Sequence, residues 1–217
     1  QDVNVGGTVS VLEACRHNAI KNVVVASSSS VYGNNEKNPF AESDPVDHPI
    51  SPYAASKKAA EVMCHTWHAL WGMDITCLRY FTVYGPRQRP DLAIHKFARL
   101  GMQGKAVPFF GDGSMARDYT YVADIVDGTM AALNTNLGGG YRIINLGSDR
   151  PIRLDALVNV IGEAIGVEIA KDEQPIPAGD VRMTWADLSL AEKQLGYRPI
   201  MPIEEGLSRF VAWLMRK

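Results

Sequence analysis

Val23-Val24-Val25-Ala26-Ser27-Ser28-Ser29-Ser30-Val31-Tyr32-Gly33 is the stretch on which the fold turns. An apolar, β-branched run breaks abruptly into four hydroxyls. Such a run predicts a strand of a parallel sheet, buried on both faces and delivering polar groups at its carboxyl end. Downstream, Ser51-Pro52-Tyr53-Ala54-Ala55-Ser56-Lys57 opens a helix, with Ser51 suited to the N-cap and Pro52 to the first helical position. The i,i+4 spacing sets Tyr53 and Lys57 on one face. An ammonium beside a phenol favours the ionised phenol, and a serine hydroxyl brought to the same place shares a proton with it. Ser28, Tyr53 and Lys57 therefore read as acid–base equipment for removing and returning the proton of a sugar or alcohol hydroxyl. Neither half is specific by itself, since Tyr-x-x-x-Lys occurs on many helices and serine clusters usually mark loops. Both halves lie at element boundaries where α/β folds place active sites, and together they point to catalysis.

Outward from that centre, helices and strands alternate. Helices are predicted around Gly7 to Asn18, from Tyr53 to about Trp71 before Gly72, over Ala93 to Gln103, from about Asp124 to Leu133, and over Leu154 to Ile165 before Gly166. Strands are predicted over Ile75 to Phe81, Val107 to Phe110 and Tyr141 to Leu146. Ser189-Leu190-Ala191-Glu192 reads as a capping box for a short helix ending at Gly196. Pro202 starts a last helix that turns Ile203, Leu207, Phe210, Val211 and Leu214 inward. This alternation predicts an α/β fold with a parallel sheet.

Composition fits an ordinary globular enzyme, 46% hydrophobic and 21% charged with a net charge of −2. Nothing in that balance suggests a nucleic-acid or membrane partner, and no apolar stretch approaches the roughly 20 residues of a membrane helix. Cys15, Cys64 and Cys77 are unclustered, as expected of thiols in a reducing cytoplasm. The five histidines are scattered, so no metal site is expected.

Several motifs in order carry a family likeness. They are Asn4-Val5-Gly6-Gly7-Thr8, the Ser28/Tyr53/Lys57 set, Leu78-Arg79-Tyr80-Phe81-Thr82-Val83-Tyr84-Gly85-Pro86, Arg117-Asp118-Tyr119-Thr120-Tyr121-Val122 and Gly179-Asp180-Val181. Over essentially its whole length the chain resembles the extended short-chain dehydrogenase/reductases. Within them it is similar to the NAD-dependent nucleotide-sugar epimerases, UDP-glucuronate 4-epimerases above all. The resemblance implies a Rossmann-like doubly wound sheet formed by residues 1–85 and 119–147, with 86–118 and 148–217 as a smaller nucleotide-sugar lobe. It implies NAD as cofactor, contacted by Asn4, Ser27, Tyr53, Lys57 and Tyr80, and a cytoplasmic homodimer. The family's Gly-x-x-Gly-x-x-Gly turn, which holds the pyrophosphate, occurs nowhere in these residues. The chain is accordingly expected to be a fragment without most of the NAD-binding half, inactive and weak in NAD binding by itself.

For the substrate, the resemblance gives Arg117 the nucleotide diphosphate, Asp180 a ribose hydroxyl and Phe110 the uracil. Pro177 stands where many UDP-hexose epimerases carry a further arginine. Thr82 replaces the asparagine usual in UDP-galactose epimerases, and the run from Val83 to Ala93 looks like the UDP-glucuronate enzymes. Ser28 adjoins the sugar, while Ser29, Ser30, Thr82 and Arg89 are candidates to hold a substrate carboxylate with hydroxyls and a cation. Dehydratases and decarboxylases of the superfamily place acidic residues after the catalytic serine or threonine. Ser29 and Ser30 are poor general acids, so C4 epimerisation through a transient 4-keto sugar is expected. UDP-glucose 4-epimerase, UDP-glucuronate decarboxylase and an inactive remnant are the alternatives.

Overall fold

The computed structural model describes residues 2–135, 137–176 and 181–216. Strands β1 (Asn22–Ser28), β2 (Asp74–Tyr80) and β6 (Tyr141–Leu146) form a parallel sheet in the order β1-β2-β6. Register pairs Val23 with Ile75 and Ser28 with Tyr80, so the serine run and the Leu78-Arg79-Tyr80 segment end side by side. Helices α1 (Gly7–His17) and α2 (Pro52–Trp71) cover one face, where Leu12, Cys64 and Trp67 pack on Val23, Ile75 and Cys77. On the opposite face α4 (Val122–Asn134) and α6 (Ser189–Leu195) bring Ile125, Ala132, Ala191 and Leu195 onto Leu78, Ile144 and Leu146. Alternate residues of β2 feed the two cores, which accounts for its nearly continuous burial. A single π turn (Asp2–Gly6) leads into α1 and carries Asn4.

The α/β layout predicted from the alternation holds: a strand falls on the predicted Val107 to Phe110, and other short strands are added. β3 (Thr82–Tyr84) lies parallel to β5 (Ala116–Tyr121), β7 (Pro151–Arg153) is antiparallel to β5, and β4 (Val107–Phe110) runs parallel to β8 (Lys171–Gln174). Helices α3 (Ala93–Met102), α5 (Leu154–Ile165) and α7 (Ile203–Leu214) close a separate core over these strands. Its members include Ile94, Phe97, Phe109, Tyr121, Leu157, Ile161, Leu207 and Phe210. Although α6 follows residue 148, it packs on the first sheet.

Two helix starts differ from expectation. Leu188, not Ser189, holds the N-cap position of α6, and no side chain caps it. The Asp187 carboxylate accepts the Ser189 N–H at 2.9 Å instead, an Asx turn that pre-empts the capping box. Pro202 sits just before α7 at its N-cap, and of the expected inward set Leu207, Phe210 and Val211 are buried while Ile203 and Leu214 are half-buried. Among the described residues no helix is long and apolar enough to cross a membrane.

Candidate active site

β1 hands its hydroxyls to a 3₁₀ turn, Ser29–Tyr32, which Ser28 caps. Ser28 Oγ accepts the Ser30 N–H at 3.2 Å and donates to Ser30 Oγ at 3.1 Å. Gly33 closes the turn at φ 56°, where a Cβ would lie 2.8 Å from the His48 carbonyl oxygen, so a side chain is excluded there. α2 begins as the sequence predicts, with Pro52 at N1 and the Ala54 N–H donating to Ser51 Oγ at 3.1 Å. Tyr53, 49% exposed, lies on the first turn. Lys57 Nζ is 5.9 Å from the centroid of its ring. The same ammonium donates to the Ala26 carbonyl at 2.9 Å, tying the helix of Tyr53 to the strand two residues before Ser28.

The cofactor candidates part company. Asn4, Gly7, Thr8, Ala26 and Lys57 line a cavity of about 380 Å³ along β1, and Asn4 Nδ2 donates to Ser56 Oγ at 2.9 Å. Ser27 does not join them as expected. The buried Ser27 turns toward α2 and donates its hydroxyl to Glu61 Oε1 at 2.6 Å. Tyr80 also commits its hydroxyl elsewhere, sharing a 2.9 Å hydrogen bond with Thr129 of α4.

The substrate candidates fall into three groups. Ser29, Ser30, Thr82 and Arg117 line one cavity of about 240 Å³, together with Phe40, Ile50, Ser51 and Thr184. No described residue lining it is acidic. Arg117 also borders a second cavity of about 190 Å³, where Phe110, Phe97, Met115 and Tyr119 supply an apolar wall. Arg89 is not brought to either, contrary to expectation. It lines a third cavity of about 980 Å³ with Arg87, Arg99, His95 and Trp213, and pairs with Asp91 at 3.1 Å. Nothing local forces a loop arginine inward, and full hydration of the guanidinium favours the outward rotamer. Asp180 and Pro177 lie outside the described residues.

Three charged residues receive no role from the sequence, although Arg79 and Asp118 stand in its motifs. Asp118, fully buried, accepts from Thr120 Oγ1 at 3.1 Å and from the N–H groups of Ser148, Asp149 and Ala186 at 2.7, 3.1 and 3.2 Å. It thereby joins β5, next to Arg117, to the 148–149 turn and to the segment that carries Thr184. Burial pushes its carboxyl above the ordinary value, against the pull of the Ser148, Ala186 and Thr120 donors. Glu61 and Arg79 form a bidentate pair at 2.8 and 3.0 Å behind the strand ends. Their signals are a charge inside the apolar β2 run and an acid one turn past Lys57. Among the described residues no group of three His, Cys, Asp or Glu side chains could hold a metal.

Residues 1–147 match the model of the NAD dependent epimerase/dehydratase family. A UDP-glucuronate 4-epimerase of Thermodesulfobacterium geofontis is 44% identical over 213 residues, which cover 98% of this chain and 65% of that protein. The crystal structure of UDP-glucuronic acid 4-epimerase from Bacillus cereus, in complex with UDP-glucuronic acid and NAD, superposes with a TM-score of 0.93 at 34% identity. It is covered for 67% of its length by 98% of this chain. UDP-N-acetylglucosamine 4-epimerase from Methanobrevibacter ruminantium, in complex with UDP-N-acetylmuramic acid, gives a TM-score of 0.93 at 30% identity over 99% of this chain and 69% of its own. The chain spans about two thirds of the length of these relatives. The family match over residues 1–147, which hold the whole β1-β2-β6 sheet and α2, together with these likenesses, places the chain in the NAD dependent epimerase/dehydratase family.

Proposed function

We propose that this chain carries the catalytic and sugar-binding part of an NAD-dependent UDP-sugar 4-epimerase, an isomerase, whose substrate is UDP-glucuronate and whose product is UDP-galacturonate. The observation that carries the reading is the cavity gathering Ser29, Ser30, Thr82 and Arg117 at the strand end that bears Ser28. Hydroxyls and a guanidinium suit a carboxylate and a diphosphate. A cavity without a described acid lacks the proton donor that loss of a ring hydroxyl requires, which weighs against dehydration.

The polar groups of Asn4, Thr8 and Lys57 in the cavity along β1 suit the ribose and amide ends of a dinucleotide, so the residues present fit NAD. When bound, NAD supplies a reversible hydride acceptor. Tyr53 removes and returns the proton of the sugar C4 hydroxyl, Lys57 places a cation beside it, and Ser28 steadies the same oxygen. Arg117 holds the diphosphate and Phe110 packs on the uracil. A uronate oxidised at C4 is a β-keto acid that readily loses CO₂. Ser29, Ser30 and Thr82, by holding its carboxylate, keep the C–C bond from aligning for cleavage. The division into 1–85 with 119–147 and 86–118 with 148–217, and pairing as a homodimer, belong to the same proposal.

The test supplies the protein with NAD and either UDP-glucuronate or UDP-glucose and follows the 4-epimers. Tyr53→Phe is expected to lower kcat by roughly 10²–10⁴ while UDP-sugar binding, measured by calorimetry, stays intact. A near-normal rate in that variant defeats the reading. One observation favours a second reading, a UDP-glucose 4-epimerase: Arg89 lies outside the sugar cavity, paired with Asp91. Faster turnover of UDP-glucose than of UDP-glucuronate would select it.

A further inference from the structure

Glu61 and Arg79 are each 1% exposed. Nε and Nη2 of the guanidinium clasp both carboxylate oxygens, and Ser27 Oγ donates to Oε1 at 2.6 Å. Arg79 also lies under the ring of Tyr32, 4.8 Å from its centroid, and the Tyr32 hydroxyl donates to Asn145 Oδ1 at 2.8 Å. A buried ion pair is a weak stabiliser, because desolvation offsets most of the attraction and apolar replacements are often neutral. Stability therefore does not account for charges at this place.

Their position does. Tyr53, Lys57 and Glu61 recur every four residues along one side of α2, while Ala26, Ser27 and Ser28 are consecutive on β1. Lys57 grips the Ala26 carbonyl and Glu61 grips the Ser27 hydroxyl. Two bonds a helical turn apart fix both the slide and the rotation of α2 against the strand end, which one bond would not. Arg79, the register partner of Ser27 on β2, braces Glu61 from behind. Through Tyr32 it also braces the turn that carries Ser29 and Ser30. We propose that the Glu61–Arg79 pair, acting through Ser27, is a positioning device that sets Tyr53 and Lys57 against Ser28. The proposal rests on the reading of those three residues as catalytic.

Ser27→Ala tests it most cleanly, since it removes one bond and leaves the ion pair matched. The melting temperature is expected to move by only about 2–6 °C, in keeping with one lost hydrogen bond in a domain of this size. Misplacement of a catalytic group by an ångström costs up to about a hundredfold, so kcat should fall roughly ten- to a hundredfold with KM for the UDP-sugar little changed. The pH profile of kcat/KM should be displaced, and a crystal structure of the variant should show Lys57 Nζ beyond hydrogen-bond reach of the Ala26 carbonyl. Ser27→Thr, which keeps the hydroxyl, should restore rate and profile. An unchanged kcat, a loss that only tracks the folded fraction, or a Lys57–Ala26 contact retained at 2.9 Å overturns the proposal. If the unaltered protein epimerises neither UDP-sugar, the functional reading has failed, and the Lys57–Ala26 contact in the variant still decides the positioning.

Discussion

Two arginines, Arg79 before β3 and Arg89 after it, each pair with a carboxylate. Arg79 and Glu61 meet at 2.8 Å with side chains 1% and 2% exposed, whereas Arg89 and Asp91 meet at 3.1 Å with side chains 73% and 66% exposed. The chemistry is the same and the consequences are opposite. An exposed pair is worth about 0–1 kcal/mol, so its guanidinium can leave for a better anion. A buried pair cannot part without stranding a charge, and it therefore holds whatever is attached to it. Position in the fold, not the ion pair itself, locks one arginine in place and leaves the other able to change partners.

The largest effect expected from this contrast is on stability. Arg79→Met strands the Glu61 carboxylate and should cost about 3–5 kcal/mol in denaturant unfolding. Arg89→Met, the same substitution on the exposed pair, should change stability by less than about 0.5 kcal/mol. Replacing both buried charges, Glu61→Leu with Arg79→Met, should recover most of the loss. Comparable costs for the two single substitutions would erase the distinction.

Specificity sharpens the contrast from the other side. If Arg89 leaves Asp91 to hold the carboxylate of UDP-glucuronate, Arg89→Ala removes one charge-assisted contact, worth about 1.5–3 kcal/mol. That corresponds to a tenfold to more than hundredfold fall in kcat/KM for UDP-glucuronate, with turnover of UDP-glucose nearly untouched. Equal losses on both sugars would assign Arg89 to the shared nucleotide or to the loop alone.

Lys37 and Asp44 form a mixed case, with the lysine 59% exposed and the aspartate 6%. Burial tends to raise the Asp44 carboxyl, but the Lys37 ammonium, the Ala41 N–H and the Asn35 amide outweigh it and hold the group below its ordinary value. A carboxyl lowered in the folded state contributes stability that is present above its unfolded value of 3.8 and is lost as pH falls through the folded one. Asp44→Asn should therefore flatten the stability–pH curve at its acid end and cost about 1 kcal/mol near neutrality. Parallel curves for the two proteins would show that Asp44 is not the titrating group. Asp44 accepts from Asn35 and Ala41 on either side of Phe40, so the same change should loosen that wall of the sugar cavity.

Where local chemistry decides the structure, the sequence was legible. Ser51 and Pro52 start α2 and Gly72 ends it in the left-handed region, as the residues alone predict. The strand ends locate Ser29 and Ser30 after β1 and Thr82 after β2, but Arg117 lies near the start of β5, a strand the pattern does not show, and only the family resemblance singled it out. What failed depended on direction. Ser27 and Ser28 are chemically identical neighbours, and only the packing of α2 on the sheet shows that Glu61 takes the first. The β3, β7 and β8 strands are three or four residues long and, unlike the equally short Val107-Pro108-Phe109-Phe110 of β4, carry no hydrophobic run; they exist because a neighbour pairs with them. Arg89 sits in a loop whose backbone turns at Arg87, φ 71°, and no motif encodes where its guanidinium points.

The smallest effect is the most discriminating for Arg89. In the structure Asp91 competes with any substrate carboxylate for the guanidinium. Asp91→Ala removes that competitor without removing the cation. The affinity for UDP-glucuronate, measured by calorimetry, should rise by no more than the worth of the exposed pair, about 0–1 kcal/mol or up to about fivefold. Affinity for UDP-glucose, which has no carboxylate to gain the contact, should stay the same. The advantage over the unaltered protein should shrink as salt is added, because salt screens the exposed Arg89–Asp91 pair that imposes the competition. An equal gain for both sugars would mean that Asp91 acts by general repulsion of the diphosphate. No gain for either would mean that Arg89 does not leave Asp91 for the substrate, and the weight would shift to a neutral hexose in the sugar cavity.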